Sequence, residues 1–148
     1  MNDAPDAVSF GLLGGTVSYG LKRAYLRVIR DLEEALAPHG LTPPLLAALS
    51  IAAANPGIAP ARLAAAMGHG RSRAAPLLDR LEADGLLERR DGPDRRSLGL
   101  HATRAGDLLL RRVTPVLAAH EARMTVGLPD GARDALAAAL GTIAASDT

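Results

Sequence analysis

The chain has no cysteine and no tryptophan, and only one phenylalanine and two tyrosines in 148 residues. Without thiols, disulfides, thiol redox sensing and thiolate metal sites are excluded. Aromatics make up 2% of the chain and hydrophobic residues 48%, so the core must be built from Leu, Ala, Val and Ile. No apolar run is long enough to span a bilayer, and Asp3 and Asp6 stand where a secretory signal carries basic residues. The four histidines are scattered without metal-ligand spacing, so no metal or other cofactor is expected. Gly11, Gly14 and Gly15 lack the Lys-Ser/Thr ending and the preceding strand of a phosphate loop. No serine sits in a nucleophile elbow. An enzyme is therefore not expected, and the composition reads as that of a soluble, cytoplasmic protein. The net charge of +1 gives no global argument for a polyanionic partner. Any such partner must be met by charge concentrated locally.

What the chain does have is helical periodicity. Residues 1–8 read as a loose tail. Leu13, Val17, Leu21, Tyr25, Val28, Leu32 and Leu36 then recur in steps of three and four, which predicts one long helix over 9–40, stopped by Pro38 and Gly40. Thr42-Pro43 is a capped helix start, followed by Leu45, Leu46, Leu49 and Ala53. Pro60 opens a short helix, Arg62 to Met67. After the Gly68-His69-Gly70 turn another helix runs from about Arg71 to Asp84, with Leu77, Leu78 and Leu81 inward and Gly85 as its stop. A strand over Leu86 to Arg90 and a turn at Asp91-Gly92-Pro93-Asp94 lead to a return strand, where Leu98, Leu100 and Ala102 face inward between Gly99 and His101. Thr103 caps a fifth helix that Pro115 should kink, and Pro129 opens a last one with Ala132, Leu136, Leu140 and Ile143.

The fold class expected is mostly α with a small β-hairpin wing. A winged helix-turn-helix lobe spans 41–102, between an N-terminal helix over 9–40 and C-terminal helices over 103–148. The flanking helices carry more apolar surface than the lobe covers, which points to their packing in a homodimer.

Two basic clusters carry the chemistry. Arg71, Ser72 and Arg73 lie at a helix start, where free amides and a partial positive charge attract phosphate and arginine can reach a guanine edge. A solvated surface turn is the plainer alternative. Pro76 sits inside the same helix and crowds the carbonyl of Ser72, so either the first turn is irregular or the regular helix begins later. Arg89 and Arg90 close one strand of the hairpin and Arg95 and Arg96 open the other, with Asp91 and Asp94 between them. Arginines so placed suit a narrow minor groove. An ordinary charged hairpin is the alternative, its ion pairs worth about 0–1 kcal/mol each.

The segments LAAAMG (63–68), LLDRLEADGLLERR (77–90) and DRRS (94–97), with Thr103 and Gly106, resemble the MarR family of winged-helix transcriptional regulators over roughly a third of the chain. The resemblance implies a homodimer on double-stranded DNA, acting as a repressor at a pseudo-palindromic operator. It implies that Arg71 to Ala75 enter the major groove, and that Arg96 enters the minor groove while Asp94 orients it. Arg89 matches a family arginine at the wing base. Pro76 stands where many members carry a polar residue, the wing is about one residue shorter than usual, and Ala102 replaces a leucine before Thr103. The resemblance also implies a small effector, often aromatic or anionic, bound between the dimer helices and the DNA-binding lobe. Tyr19, Arg23 and Arg27, about one helical turn apart, are candidates to meet its anionic group, with His39 in the same cleft. Arginines solvated, or paired with Glu34 or a partner chain, are the alternative. A winged-helix module that binds protein rather than DNA shares the fold without the charge logic.

Overall fold

A computed structural model of the chain describes residues 8–91 and 98–145. The described elements are a 3-10 turn at Gly11–Leu13, α1 (Val17–Leu36), a second 3-10 turn at Ala37–His39, α2 (Pro43–Ala54), α3 (Pro60–Ala66), α4 (Arg71–Ala83), β1 (Leu87–Asp91), β2 (Leu98–Ala102), α5 (Arg104–Thr125) and α6 (Ala132–Ala145). The mostly helical fold with one hairpin is as the sequence pattern predicts. Among the described residues no single helix is long and apolar enough to cross a membrane.

The core is almost entirely leucine. Leu36, Leu49, Leu63, Leu81, Leu100 and Val113 are fully enclosed, one from each of α1, α2, α3, α4, β2 and α5. Burying each such side chain contributes about 1.5–3 kcal/mol. In α4 the buried face is Ala74, Leu78 and Leu81, in steps of four and three. Two threonine caps set the helix starts: Thr42 accepts from the Leu45 amide, and Thr103 accepts from the Gly106 amide.

The hairpin is antiparallel, with Leu87 opposite Ala102, Arg89 opposite Leu100 and Asp91 opposite Leu98. Ile58 bridges Leu100, so the loop after α2 adds a short third rung. Its two ends meet at one point. Gly85 takes φ +70° and lets the Leu86 amide reach back to the Leu81 carbonyl at 2.8 Å. The Thr103 amide then donates to the Leu86 carbonyl at 3.0 Å, and the Thr103 hydroxyl donates to the Gly85 carbonyl at 2.6 Å. Gly106 lies against this junction so closely that a Cβ there would stand 2.3 Å from the Leu86 oxygen.

Several sequence expectations shift. The first helix begins at Val17 rather than near residue 9, because Gly14 and Gly15 break it; Gly15 adopts φ +82°. Its apolar stripe is only partly covered, with Leu36 buried but Val17 and Tyr25 exposed. The third helix starts at Pro60 and the last at Ala132, and the first strand is shifted one residue on, to Leu87–Asp91. Leu98 lies on the face of Leu100 but is not enclosed as expected: it is 50% exposed, at the end of β2, where it borders an open groove against α3 and α4. Gly99 is buried instead, because the Gly57 backbone passes where its side chain would be. Helix α4 is regular from Arg71 and runs unbroken through Pro76, and α5 runs unbroken through Pro115. Both prolines lie on exposed faces, where the carbonyls they leave without a helical donor can be hydrated.

One polar cluster ties α1 to α5. His120, almost fully buried, donates from Nδ1 to Asp31 Oδ2 at 2.6 Å. Arg123 grips the same carboxylate through Nε at 3.0 Å and Nη2 at 2.8 Å. Hydrogen bonds from Arg123, then His120, hold the Asp31 carboxyl down to about 2. A carboxylate lowered in the folded state adds stability above its ordinary value near 4 and loses it as the pH falls toward about 2. Thermal melts across that window should therefore show Asp31→Asn less stable than the parent at neutral pH, with a shallower decline below pH 4. A parent and variant with parallel acid limbs would show that Asp31 carries no such linkage.

A second expectation concerns the hairpin junction. Gly106→Ala should lower unfolding free energy by about 1–3 kcal/mol, the range for an overpacked contact, measured by denaturant titration.

Candidate nucleic-acid interface and ligand groove

Helix α3, the turn at 67–70 and α4 form the helix-turn-helix, and the hairpin stands beside it. Gly70 is the N-cap of α4 and has no side chain to satisfy the first amides; its carbonyl accepts from Arg73 and Ala74, which leaves the Arg71 and Ser72 amides open to an anion. Arg71, Ser72, Arg73, Ala75 and Pro76 are all exposed, while Ala74 between them anchors the turn in the core. Among the described residues neither Arg71 nor Arg73 has an ion-pair partner. Both cations therefore stand free at the amide-rich end of the helix.

The hairpin arginines behave differently. Arg89 donates from Nε to Glu82 at 2.7 Å and from Nη2 to Asp79 at 3.4 Å, both on α4. Arg90 pairs with Glu88, two residues back on its own strand. Alternation along β1 puts Arg89 on the face of Leu87, toward α4, and Arg90 on the other. The expected tip residues Asp94, Arg95 and Arg96 lie outside the described residues. A groove of about 500 Å³ between α3, α4 and the hairpin is lined by Pro60, Arg71, Ala75, Arg89 and Leu98 among others.

The four effector candidates do not gather at one site. Tyr19 packs on Phe10 with ring centroids 5.5 Å apart, and the Arg23 guanidinium stacks over Phe10 at 4.2 Å. Arg27 lies further along α1, in a groove of about 740 Å³ that also holds Arg30, Asp31, Glu34 and Arg123. Neither Arg23 nor Arg27 pairs with Glu34. His39 lies in the 3-10 turn beyond the far end of α1, roughly 24 Å from Arg23 along the helix axis.

A different cavity lies where an effector was expected in general terms. Between α1, α2 and α5 a groove of about 380 Å³ is lined by Leu32, Pro43, Leu46, Ala47, Ser50, Leu110, Val113, Thr114 and Leu117. No lining residue is charged. Its polar side chains are Ser50 and Thr114, and the Thr114 hydroxyl donates to the Leu110 carbonyl, leaving its oxygen free to accept. Leu32 on this groove is nine residues from Arg23 and five from Arg27, roughly half a turn and well over a third of a turn around α1. The arginines therefore face away from it. The apolar spacing that marks these residues as core gave no sign that they also border a cavity.

Residues 39–97 match the sequence model of the MarR family. A putative transcriptional regulatory protein for the hcr operon of Thauera aromatica is 30% identical over 128 residues, 85% of this chain and 77% of that one. The transcriptional repressor CouR bound to a 23-mer DNA duplex superposes with a TM-score of 0.86 at 39% identity, covering 93% of this chain and 99% of that chain. CouR bound to p-coumaroyl-CoA gives a TM-score of 0.83 at 37% identity, over 94% of this chain and 99% of that chain.

Proposed function

The chain belongs to the MarR family of DNA-binding transcriptional regulators, and we propose that it works in the cytoplasm as a homodimeric repressor, not an enzyme, released from DNA by an aromatic acyl compound. The observation that carries the DNA contact is the uncapped start of α4 with its unpaired Arg71 and Arg73. In this reading Arg71, Ser72, Arg73, Ala75 and Pro76 meet the major groove. Arg90, Arg95 and Arg96 serve the hairpin side, with Asp94 orienting Arg96.

The dimer reading rests on uncovered apolar surface. Leu12, Leu13, Val17, Val126, Leu136, Leu140 and Ile143 are exposed, and α6 has no buried residue. Such a surface belongs against a second copy, with 9–40 and 103–148 as the dimerisation segments and 41–102 as the DNA-binding lobe. Paired lobes then read half-sites about one helical turn apart.

The effector reading rests on the uncharged groove between α1, α2 and α5. Its 380 Å³ lies within the range of about 300–1,000 Å³ for small-molecule sites. A free carboxylate buried there would meet no cation and would be desolvated without compensation. An aromatic ring carried by a neutral acyl link, such as a thioester, avoids that cost. The DNA-bound and p-coumaroyl-CoA-bound forms of CouR support the pairing of the two functions. A ligand held across α1, α2 and α5 releases DNA only if it binds the DNA-incompetent arrangement more tightly.

Affinity for a selected operator should fall steeply as salt rises, since phosphate contacts release counterions. Arg96→Ala should weaken binding by about 1–3 kcal/mol; unchanged affinity would remove the hairpin tip from the interface. In a gel-shift titration p-coumaroyl-CoA should release the duplex at concentrations where free p-coumarate does not. Equal release by the free acid would overturn the neutral-acyl assignment.

A further inference from the structure

On α4, Arg71, Ala75, Asp79 and Glu82 follow one another along a single edge, at steps of four, four and three. That edge starts with an unpaired cation and ends with two carboxylates. Asp79 lies roughly 12 Å along the axis from Arg71, close to one Debye length of about 8–10 Å. Left uncompensated, both acids would repel a duplex docked at the helix start. Arg89 sits across them. Its strand face, shared with Leu87 and Leu100, aims it at α4, and its donors go to Glu82 at 2.7 Å and Asp79 at 3.4 Å. Asp79 is 71% exposed, so its charge otherwise meets the approaching phosphates directly.

We propose that Arg89 is a positioning residue for DNA binding: bridging Asp79 and Glu82, it neutralises the acidic end of the recognition edge and fixes the hairpin base to α4, without itself contacting phosphate. The assignment rests on the DNA-binding reading above and reverses the expectation that Arg89 is a direct contact. A phosphate would have to draw the guanidinium away from both carboxylates and expose them to the duplex. Arg90, on the outer face, pairs among the described residues with Glu88 of its own strand and does not reach the α4 acids.

The two roles differ in salt dependence and in rescue. The probe is a duplex of about 25 base pairs, room for two half-sites, selected from a random-sequence library by the parent protein. Binding is followed by fluorescence anisotropy across a salt series for the parent, Arg89→Ala, Arg89→Lys, and Asp79→Asn/Glu82→Gln with and without Arg89→Ala. Arg89→Ala should lose about tenfold or more in affinity while keeping the parent's salt slope, and removing both carboxylates in that background should restore most of the loss. Arg89→Lys, which keeps the charge but not the fork, should fall between. A slope reduced by about 0.9, the mark of one lost phosphate contact, overturns the proposal. So does a triple variant no tighter than Arg89→Ala. Circular dichroism checks folding; should Arg89→Ala fail to fold, Arg89→Lys and the triple variant carry the same comparison. If the parent selects no duplex even in dilute salt, the DNA-binding reading itself fails.

Discussion

The fold depends on a junction of a few backbone groups. The chain leaves α4 at Gly85, builds the hairpin, and returns at Thr103 to the point where it left. The Leu86 carbonyl receives the Thr103 amide, the Gly85 carbonyl receives the Thr103 hydroxyl, and Gly106 admits α5 to within contact of the Leu86 carbonyl. The end of α4, both feet of the hairpin and the start of α5 are thus referred to one another within a few ångströms. Burial of backbone this close requires its polar groups to be paired, and they are. The leucine core beneath, one enclosed side chain from nearly every element of the lobe, gives the lobe its stability. The junction gives it its geometry.

Charge is then distributed over that frame by position. With a net charge of +1, attraction for a polyanion comes from which cations are left free. Among the described residues Arg71 and Arg73 have no ion-pair partner at the amide end of α4, whereas Arg80, Arg89, Arg90 and Arg123 are each bound to a carboxylate. Exposed pairs of this kind add little stability, about 0–1 kcal/mol. For the Arg89 pairs, the proposed effect is instead to cancel acids on α4 that would oppose a phosphate backbone.

Helix α5 links the two halves of the molecule. Near its start it closes the hairpin junction, through its middle it walls the uncharged groove, and near its end His120 and Arg123 hold Asp31 of α1. On the proposed reading, an effector wedged between α1, α2 and α5 would push on the same helix that closes the hairpin junction. Because packed interiors resist continuous deformation, such a wedge acts by selecting between discrete arrangements of the lobes.

Much of this was legible in the residues. Helical periodicity, the Thr42 and Thr103 caps, the glycine turns and the alternation around Leu100 are local signals, and local backbone preference plus burial is enough to read them. The segments from Leu63 to Arg90 placed the helix-turn-helix and hairpin in the right order. What the residues did not reveal were relations between elements distant in sequence. Arg89 looks like any basic strand residue until the hairpin folds back and sets it over Asp79 and Glu82, and His120 looks like one more helix residue until α1 brings Asp31 to it. Leu98 and Gly99 exchanged burial because a loop forty residues earlier passes behind β2. Tyr19, Arg23, Arg27 and His39 read as neighbours in sequence, but Tyr19 and Arg23 lie against Phe10, Arg27 borders a separate groove with α5, and the uncharged groove proposed for the effector is on the other side of α1. Residue pattern alone is enough for the kinds of element, their order and the family. Which charges pair and where a cavity opens follow from the folded chain, because both depend on distances between segments that no local preference encodes.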